Sequence, residues 1–215
     1  MIICDKCSRF GLLYQSNHLN SPAEFIEGSL DSKIWIIGLN PKVVNNEEFD
    51  PSVEDLRAFK PSKHPYFKDF KKVSKHLYDN WESQESQIAH TDLVKCGSTS
   101  FPPQDASTLK TLSNKNTKEI IENCFEHLKQ QILTLKPSLL ICNGSQTSLS
   151  IFDFLKPDDK SIKSAKQVGT YKSTIHDHTF TIILSGFIGR IDDWSKRRLG
   201  YEIESAIKEL DINIF

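Results

Sequence analysis

The sequence predicts an α/β protein, a three-layer sandwich in which a central four-stranded, mostly parallel sheet is flanked by helices. Short apolar segments of strand length alternate along the chain with longer segments whose apolar residues recur at helical spacing. The 215 residues are enough to bury one core, and no internal repeat or strong linker divides them. We therefore expect a single domain over residues 1–215.

Four apolar segments are the predicted strands. They are KIWIIGLNP (33–41), QIAHTDLVKC (87–96), PSLLICNG (137–144) and residues 179–184. Because ligands bind beyond the carboxyl ends of the strands in such sheets, the loops that follow the strands should converge on one site. Those loops begin at Gly38, Lys95, Asn143 and Ser185.

The helical patterns lie between and after these strands. A short helix over 21–28 has Ser21 as its N-cap and Pro22 in its first turn. The longer predicted helices cover residues 64–81, 117–135, 145–155 and 195–210. Polar segments over 98–116 and 156–169 are predicted loops.

The composition excludes several classes of protein. Lys and Arg number 27 and Asp and Glu number 28, so the formal net charge is −1 and a nucleic-acid-binding surface would have to be a local patch. No apolar run approaches the roughly 20 residues that cross a bilayer, and the first residues lack a signal-peptide pattern. We expect a soluble, cytoplasmic protein without a membrane partner.

The five cysteines fall into two groups. Cys142 lies within the third predicted strand and is expected to be a small buried apolar residue. Cys4 and Cys7 form a C-x-x-C, Cys96 follows a predicted strand and Cys124 lies on a predicted helix. Four thiolates from three elements can hold a structural zinc or an iron–sulfur cluster, and the spacing alone leaves both metals and plain buried thiols open.

A second group of candidate residues follows the first predicted strand. In the segment G-L-N-P, Gly38 permits a sharp exit, and the amide of Asn40 can both donate to and accept from a ligand. Downstream, Tyr66 and Phe67 offer flat apolar faces to a planar ligand. Each feature, taken singly, is also typical of an ordinary loop or core.

Together these motifs resemble the uracil-DNA glycosylase superfamily. The run IWIIGLNP resembles its first motif, and Gly-Leu-Asn-Pro is close to the Gly-Ile-Asn-Pro of the mismatch-specific uracil/thymine glycosylases. HTDLVKC resembles the next strand of the iron–sulfur families, which usually reads Asn-x-x-Lys-Cys, and CFEHLKQQILTLKPSLLICNG is similar to their helix–turn–strand segment. The order Cys4, Cys7, Cys96 and Cys124 matches the cysteines that hold a [4Fe–4S] cluster there, which favours the cluster over zinc. The resemblance covers roughly residues 1–210.

The resemblance implies a DNA glycosylase of base excision repair. Such an enzyme hydrolyses the N-glycosidic bond of a damaged or deaminated base, uracil or a related base, after the base is flipped out of the duplex. By this resemblance, Asn40 would position the attacking water. The residues implied to surround the base are Gly38, Leu39, Tyr66, Phe67 and Asp92.

Asp92 departs from the family pattern, which has an asparagine there. An amide can donate to uracil O4 and accept from N3–H, whereas an ionised carboxylate only accepts. Asp92 would repel O4 unless burial keeps it protonated, and a base with an exocyclic amine would suit it better. Alternatively, Asp92 only caps local backbone groups.

The loop after the last strand also departs from the pattern. The superfamily has His-Pro-Ser there, and this chain has L-S-G-F-I-G-R from Leu184. Ser185 or Arg190 could replace the missing histidine as a catalytic group. The acidic run Glu47, Glu48 and Asp50 is typical of a solvated loop, although one of its carboxylates could activate the water. The alternative function is a weakly active or inactive member of the fold that binds DNA or a base.

The same loop is suited to contact DNA. Phe187 and Ile188, between two glycines, could wedge into the base stack. The cations expected to contact phosphates are Lys95, Arg190, Lys196, Arg197 and Arg198, although mixed charges are also typical of a solvated helix. We expect a monomer, associated with the nucleoid if the source is prokaryotic. A reading from another class is a zinc-stabilised α/β hydrolase of a small nucleotide.

Overall fold

A computed structural model of the chain describes residues 1–43, 50–105, 108, 110–156 and 169–214. Near the N-terminus, β1 (Ile2–Cys4) and β2 (Tyr14–Ser16) form an antiparallel ribbon. The central sheet consists of β3 (Ile34–Gly38), β4 (Ile88–Asp92), β5 (Leu139–Asn143), β6 (Gly169–Ile175) and β7 (His178–Ser185). The order of these strands across the sheet is β4-β3-β5-β7-β6.

The predicted sandwich is confirmed, but within the described residues the central sheet has five strands rather than the predicted four. β3, β4, β5 and β7 are parallel, and β6 pairs antiparallel with β7 through a turn that places His176 at φ 54°. β6 lies at the edge of the sheet, and most of its residues are only partly buried. Its sequence therefore lacks the continuous apolar run by which the other strands were predicted.

Helices cover both faces of the sheet. They are α1 (Val53–Arg57), α2 (Phe70–Val73), α3 (Lys75–Glu82), α4 (Asn114–Leu135), α5 (Ser145–Leu155) and α6 (Asp193–Glu209). α4 and α5 bury their apolar residues against the β3 face that carries Trp35 and Ile37. α2, α3 and α6 pack on the opposite face, against Ile34 and Ile36. The alternation along β3 thus supplies two cores, as expected of a strand buried on both sides.

Two predicted helices differ from the structure. The segment 64–81 is not one helix: it contains a 3-10 turn over Pro65–Phe67, then α2 and α3, which are separated by extended backbone at Ser74. The Ser74 hydroxyl accepts a hydrogen bond from Leu77 N and caps α3. The segment 21–28 forms only the 3-10 turn Pro22–Glu24, although Ser21 caps it as predicted.

The strand ends define the site. The carboxyl ends of β3, β4, β5 and β7 lie along one edge of the sheet because their registers are aligned, with Gly38 opposite Asp92 and Asn143 opposite Ser185. Within the described ranges, no helix is both long enough and apolar enough to cross a membrane. The extent of the domain, residues 1–215, stays a prediction.

Candidate active site

A cavity of about 650 Å³ lies at this edge of the sheet. The loops after β3, β5 and β7 line it, together with the segment before α2 and two side chains of β4. The predicted site residues that line it are Gly38, Leu39, Asn40, Tyr66, Phe67, Asp92, Phe187 and Arg190. The structure therefore brings the predicted base-contacting residues together around one space.

Asn40 is held in place at the mouth of this cavity. Its Nδ2 donates to the carbonyl of Pro41 and to Oγ of Ser98, both at 2.9 Å. The Ser98 hydroxyl in turn donates to the carbonyl of Ser100 at 2.8 Å. These bonds use the amide nitrogen and leave the amide oxygen as the group that can orient a water or ligand. Sequence reasoning missed Ser98, which lies in the long polar loop.

The floor of the cavity is an ionised group of three side chains. Nδ1 of His90 lies 2.5 Å from Oε2 of Glu27, and Nε2 of His90 lies 3.7 Å from Oδ1 of Asp92. The side chains of His90 and Asp92 are only 6% and 5% exposed. In the part of the chain that the structure describes, the Asp92 carboxylate has this ion pair and accepts no hydrogen bond.

Burial and charge set the protonation of this floor. Desolvation raises the pKa of Asp92 to about 6, although the neighbouring His90 opposes the rise. Burial alone would lower the pKa of His90, but the Asp92 and Glu27 carboxylates outweigh it and the pKa is raised. The two carboxylates therefore favour the imidazolium form of His90.

Gly38 makes this arrangement sterically possible. A Cβ at position 38 would lie 2.8 Å from Nε2 of His90 and would overlap Oδ1 of Asp92. Both side chains approach the end of β3 only because glycine leaves this space open. The glycine of the G-L-N-P segment is thus required by packing against the floor and not by its backbone conformation, because its φ is outside the left-handed region.

Aromatic rings form one wall of the cavity. The Phe67 ring lies 4.7 Å from the His90 ring, 4.8 Å from the His64 ring and 5.1 Å from the Trp81 ring, measured between centroids. Tyr66 accepts a hydrogen bond from Lys42 Nζ at 2.7 Å, and its ring faces Phe187 at 6.0 Å. Tyr66 and Phe187 therefore form an aromatic rim above the wall made by Phe67.

Two further polar atoms at the cavity are buried and, among the described residues, have no hydrogen-bond partner. They are Nδ1 of His64 and Oγ1 of Thr147. Burial, reinforced by the nearby His90, lowers the pKa of His64, so this ring is neutral. Because unpartnered buried polar atoms are costly, they indicate a cavity built for a polar ligand.

Sequence reasoning did not find the partners of Asp92. His90 stands two residues before Asp92 on one strand, so both side chains fall on the same face, and this spacing could have revealed the pair. Glu27 comes from a distant segment that bridges to His90 by backbone hydrogen bonds. No local pattern in the sequence indicates that contact.

Several predicted roles do not fit the observed positions. Lys95 is only 1% exposed, and its Nζ donates to Thr91 Oγ1, the Asp92 carbonyl and Gln131 Oε1, so it is not available to a phosphate. Ser185 is buried, and its hydroxyl donates to the Cys142 carbonyl at 2.8 Å. A catalytic role for Ser185 would require that bond to break.

Two more residues of the last loop and α6 are also buried. Ile188 is 0% exposed, and its backbone N–H donates to Oδ1 of Asn143 at 2.9 Å, so its side chain packs in the core rather than forming a wedge. Lys196 is buried beside Asp69, with Nζ 2.9 Å from Oδ2. Its ammonium is used inside the protein rather than presented to DNA.

The remaining predicted DNA contacts are at the surface. Arg190 is exposed and lines the cavity. Arg197 and Arg198 are exposed on α6, with Nε of Arg198 3.9 Å from Glu202. Phe187 is half-buried at the rim. These residues retain positions from which they can contact a strand entering the cavity.

Of the acidic run, the structure describes only Asp50. Glu47 and Glu48 lie outside the described residues. Asp50 accepts a hydrogen bond from the backbone N–H of Asn17 at 2.9 Å and lines a separate cavity of about 460 Å³. Asp50 therefore does not face the space where the base would bind.

Three of the four candidate metal-ligating cysteines touch. The Cys7 thiol hydrogen-bonds with that of Cys124, which hydrogen-bonds with that of Cys96. The hydrogen bond with Cys7 lowers the pKa of the Cys124 thiol. The hydrogen bond with Cys96 and burial together have a larger effect and raise that pKa to about 11. The fourth, Cys4, has its Sγ 3.7 Å from Nε2 of His127.

The chemistry of these thiols suits a metal centre. Buried, adjacent thiols are the donors that zinc and iron–sulfur clusters prefer. Across the described ranges, however, no set of three or more His, Cys, Asp or Glu side chains is arranged to hold a metal ion. The donor chemistry fits, and the complete ligand geometry is not formed.

The fold and the cavity define an α/β protein whose ligand site, with an aromatic wall and an ionised floor, lies at the carboxyl ends of parallel strands. The family model described as the uracil DNA glycosylase superfamily matches residues 25–185. This match spans most of the chain, so the protein belongs to the uracil DNA glycosylase superfamily. Among curated proteins, no sequence matches it. The matched region contains most of the cavity residues, begins after Cys4 and Cys7, and ends before Phe187 and Arg190.

Proposed function

We propose that this protein hydrolyses the N-glycosidic bond of a damaged or deaminated base in DNA, as a step of base excision repair. Membership of the superfamily indicates DNA glycosylase activity. The observation that supports the proposal most is the cavity itself, which combines a fixed Asn40, the Phe67 wall and a buried polar floor. A flipped base needs such a pocket because it leaves the stack and must be held by new contacts.

The mechanism follows from the positions of these groups. Phe67 stacks on one face of the flipped base, and Tyr66 and Phe187 flank the entrance. The amide oxygen of Asn40 orients a water toward the sugar carbon, because its nitrogen is already bound to Ser98 and the Pro41 carbonyl. As the bond breaks, negative charge develops on the base and must be stabilised by donors in the cavity.

The cysteines would hold a structural metal centre. We propose a [4Fe–4S] cluster bound by Cys4, Cys7, Cys96 and Cys124, with structural zinc as the alternative. The contacts among Cys7, Cys124 and Cys96 support it, since these thiols come from three separate elements. Such a centre would fasten the N-terminal ribbon to α4 and supply no step of the hydrolysis. Iron, sulfide and zinc analysis with visible spectroscopy of the purified protein tests it, and zinc without iron would favour the alternative.

The experiment that tests the activity uses oligonucleotides containing single modified bases. After incubation, hot alkali cleaves any abasic site, and the expected result is strand breakage that is lost in Asn40→Ala.

We propose that the protein acts as a monomer in the cytoplasm, on DNA of the nucleoid in a prokaryote. Size-exclusion chromatography with light scattering tests the monomer.

A second candidate function is a member of the superfamily that binds DNA or a base without cleaving it. The last loop favours this function, because the Ser185 hydroxyl donates to backbone carbonyls and is not free to act as a catalytic group. Salt-dependent binding to modified DNA, with no cleavage of any base, would support this second function.

A further inference from the structure

We infer that His90 and Asp92 read the base together: Nε2–H of His90 donates to a ring carbonyl while the Asp92 carboxylate accepts from the neighbouring ring N–H. This pair fits a base with a carbonyl beside a protonated ring nitrogen, as in uracil, hypoxanthine and xanthine. The inference rests on the proposed glycosylase function and adds the class of base and a base-contacting histidine.

The donor and the acceptor lie side by side on the cavity floor. Nε2 of His90 is 3.7 Å from Oδ1 of Asp92, and both side chains line the cavity. The family asparagine supplies a donor and an acceptor from one amide, and an aspartate alone supplies only the acceptor. With His90 as the donor, the two residues replace both functions of the amide. The base carbonyl then faces His90, whose donor offsets the repulsion expected from Asp92.

Glu27 fixes the direction of the His90 donor. Its Oε2 lies 2.5 Å from Nδ1, so Nδ1 carries a proton that it donates to the carboxylate. Two backbone hydrogen bonds between the same residues, at 2.8 and 2.7 Å, hold the segment around Glu27 against β4. Glu27 is therefore a positioning residue, acting on the base through His90.

The charges around His90 favour the form of the ring in which both nitrogens carry a proton. The titratable groups that face the ring are Glu27, Asp92, Lys95 and His64. The two carboxylates favour the imidazolium, and Lys95 opposes it. Because Lys95 donates its hydrogen bonds to Thr91, Gln131 and the Asp92 carbonyl, none of them goes to either carboxylate.

The same contact assists the bond cleavage. When the bond between C1′ and the base nitrogen breaks, its electron pair moves onto the base and is shared with the ring carbonyl that faces His90. The water oxygen bonds to C1′, and the proton that the water loses passes to the base anion. The products are an abasic deoxyribose and a neutral base. A preorganised buried cation stabilises the developing anion more strongly than it stabilises the neutral substrate. His90 would in this way take the role that the histidine of His-Pro-Ser has in the superfamily pattern.

Single-turnover cleavage of a base panel tests the class of base. We expect wild-type protein to release uracil, hypoxanthine or xanthine, and to leave cytosine and adenine in place. Release of amino-bearing bases alone would overturn the inference and leave the glycosylase proposal standing. If no base is released, the proposed activity fails, and binding to DNA with 2′-fluoro nucleotides, which resist hydrolysis, decides the pairing. Tighter binding of 2′-fluorodeoxyuridine than 2′-fluorodeoxycytidine supports it, and the reverse overturns it.

Variants of the two residues test the histidine. His90→Gln retains a neutral donor, and we expect about a 100-fold slower cleavage of uracil with binding of the 2′-fluoro DNA retained. A change smaller than about threefold would overturn the role of His90. Glu85→Gln, at an exposed position, is the control and should cleave at the wild-type rate.

The pH profile of Glu27→Gln gives a readout that a purely structural role would not change. Above about pH 6, where Asp92 is ionised, the wild-type rate should fall as pH rises and His90 loses its proton. A neutral amide at position 27 removes one of the two carboxylates that raise the pKa of His90, so the fall should move to lower pH. A profile with the same midpoint as wild type would contradict the positioning role. This test remains decisive if His90→Gln does not fold.

Discussion

The Asp92 carboxylate occupies the space that a side chain on Gly38 would need, although the two residues lie on neighbouring strands. We predict that Gly38→Ala displaces Asp92 and His90, slows cleavage by at least about tenfold and lowers the free energy of unfolding by about 1–3 kcal/mol. Single-turnover rates and urea unfolding measure both effects. In the double variant Gly38→Ala/Asp92→Ala, we expect part of the stability lost in Gly38→Ala to return, whereas the cleavage rate should stay low. Wild-type behaviour of Gly38→Ala would show that the floor is not packed as described.

Ser98 should act through Asn40. Ser98→Ala removes one of the two acceptors of the Asn40 amide nitrogen, so the amide can rotate and the water is less well oriented. We expect a rate about tenfold lower with unchanged DNA affinity. Ser100→Ala is the matched control, because Ser100 contributes only its backbone carbonyl to this chain of hydrogen bonds. Equal rates for the two variants would remove Ser98 from the site.

Asp92 should destabilise the fold near neutral pH. Its pKa is raised in the folded protein, so the folded state binds more protons than the unfolded state between about pH 4 and 6, and stability falls across that range. The asparagine variant has no such titration. Relative to wild type, Asp92→Asn should therefore gain stability between pH 4 and pH 7, as measured by urea unfolding at each pH. A constant difference between the two proteins would mean that the Asp92 pKa is not raised.

Lysine and arginine near the site should have different effects on DNA binding. Arg197→Gln/Arg198→Gln removes two exposed cations and should reduce the slope of log affinity against log salt by about 2 if both contact phosphates. Lys95→Met should leave the slope unchanged and lower stability by about 1–3 kcal/mol, because it leaves Gln131 and Thr91 without their buried donor. A slope reduced by Lys95→Met would contradict its structural role.

The sequence predicted the parts of the site that follow strand ends. Asn40 and Asp92 could be placed because neighbouring parallel strands end at the same edge of the sheet, and this holds for any conformation of the loops that follow. Phe67 was assigned to the site although the helix predicted around it is broken, since it lies in a 3-10 turn and the apolar residues after it face the same core from α2 and α3. Pattern and topology were sufficient for these positions.

The parts that could not be predicted depend on contacts between distant segments. Glu27 contacts His90, which is 63 positions away in the sequence, and Asp69 contacts Lys196, which is 127 positions away. A charged residue type does not reveal whether its side chain faces solvent or a buried acceptor. Lys95 and Lys196 were therefore assigned to phosphates, whereas the structure uses both inside the fold.

The bridge between Glu27 and His90 has a consequence for solution behaviour. β4 is an outer strand of the central sheet, and an uncovered outer strand can recruit another chain and start aggregation. The two backbone hydrogen bonds from residue 27 occupy the middle of that strand. The segment that orients the histidine therefore also shields the sheet from edge-to-edge association, and loosening it would endanger solubility together with catalysis.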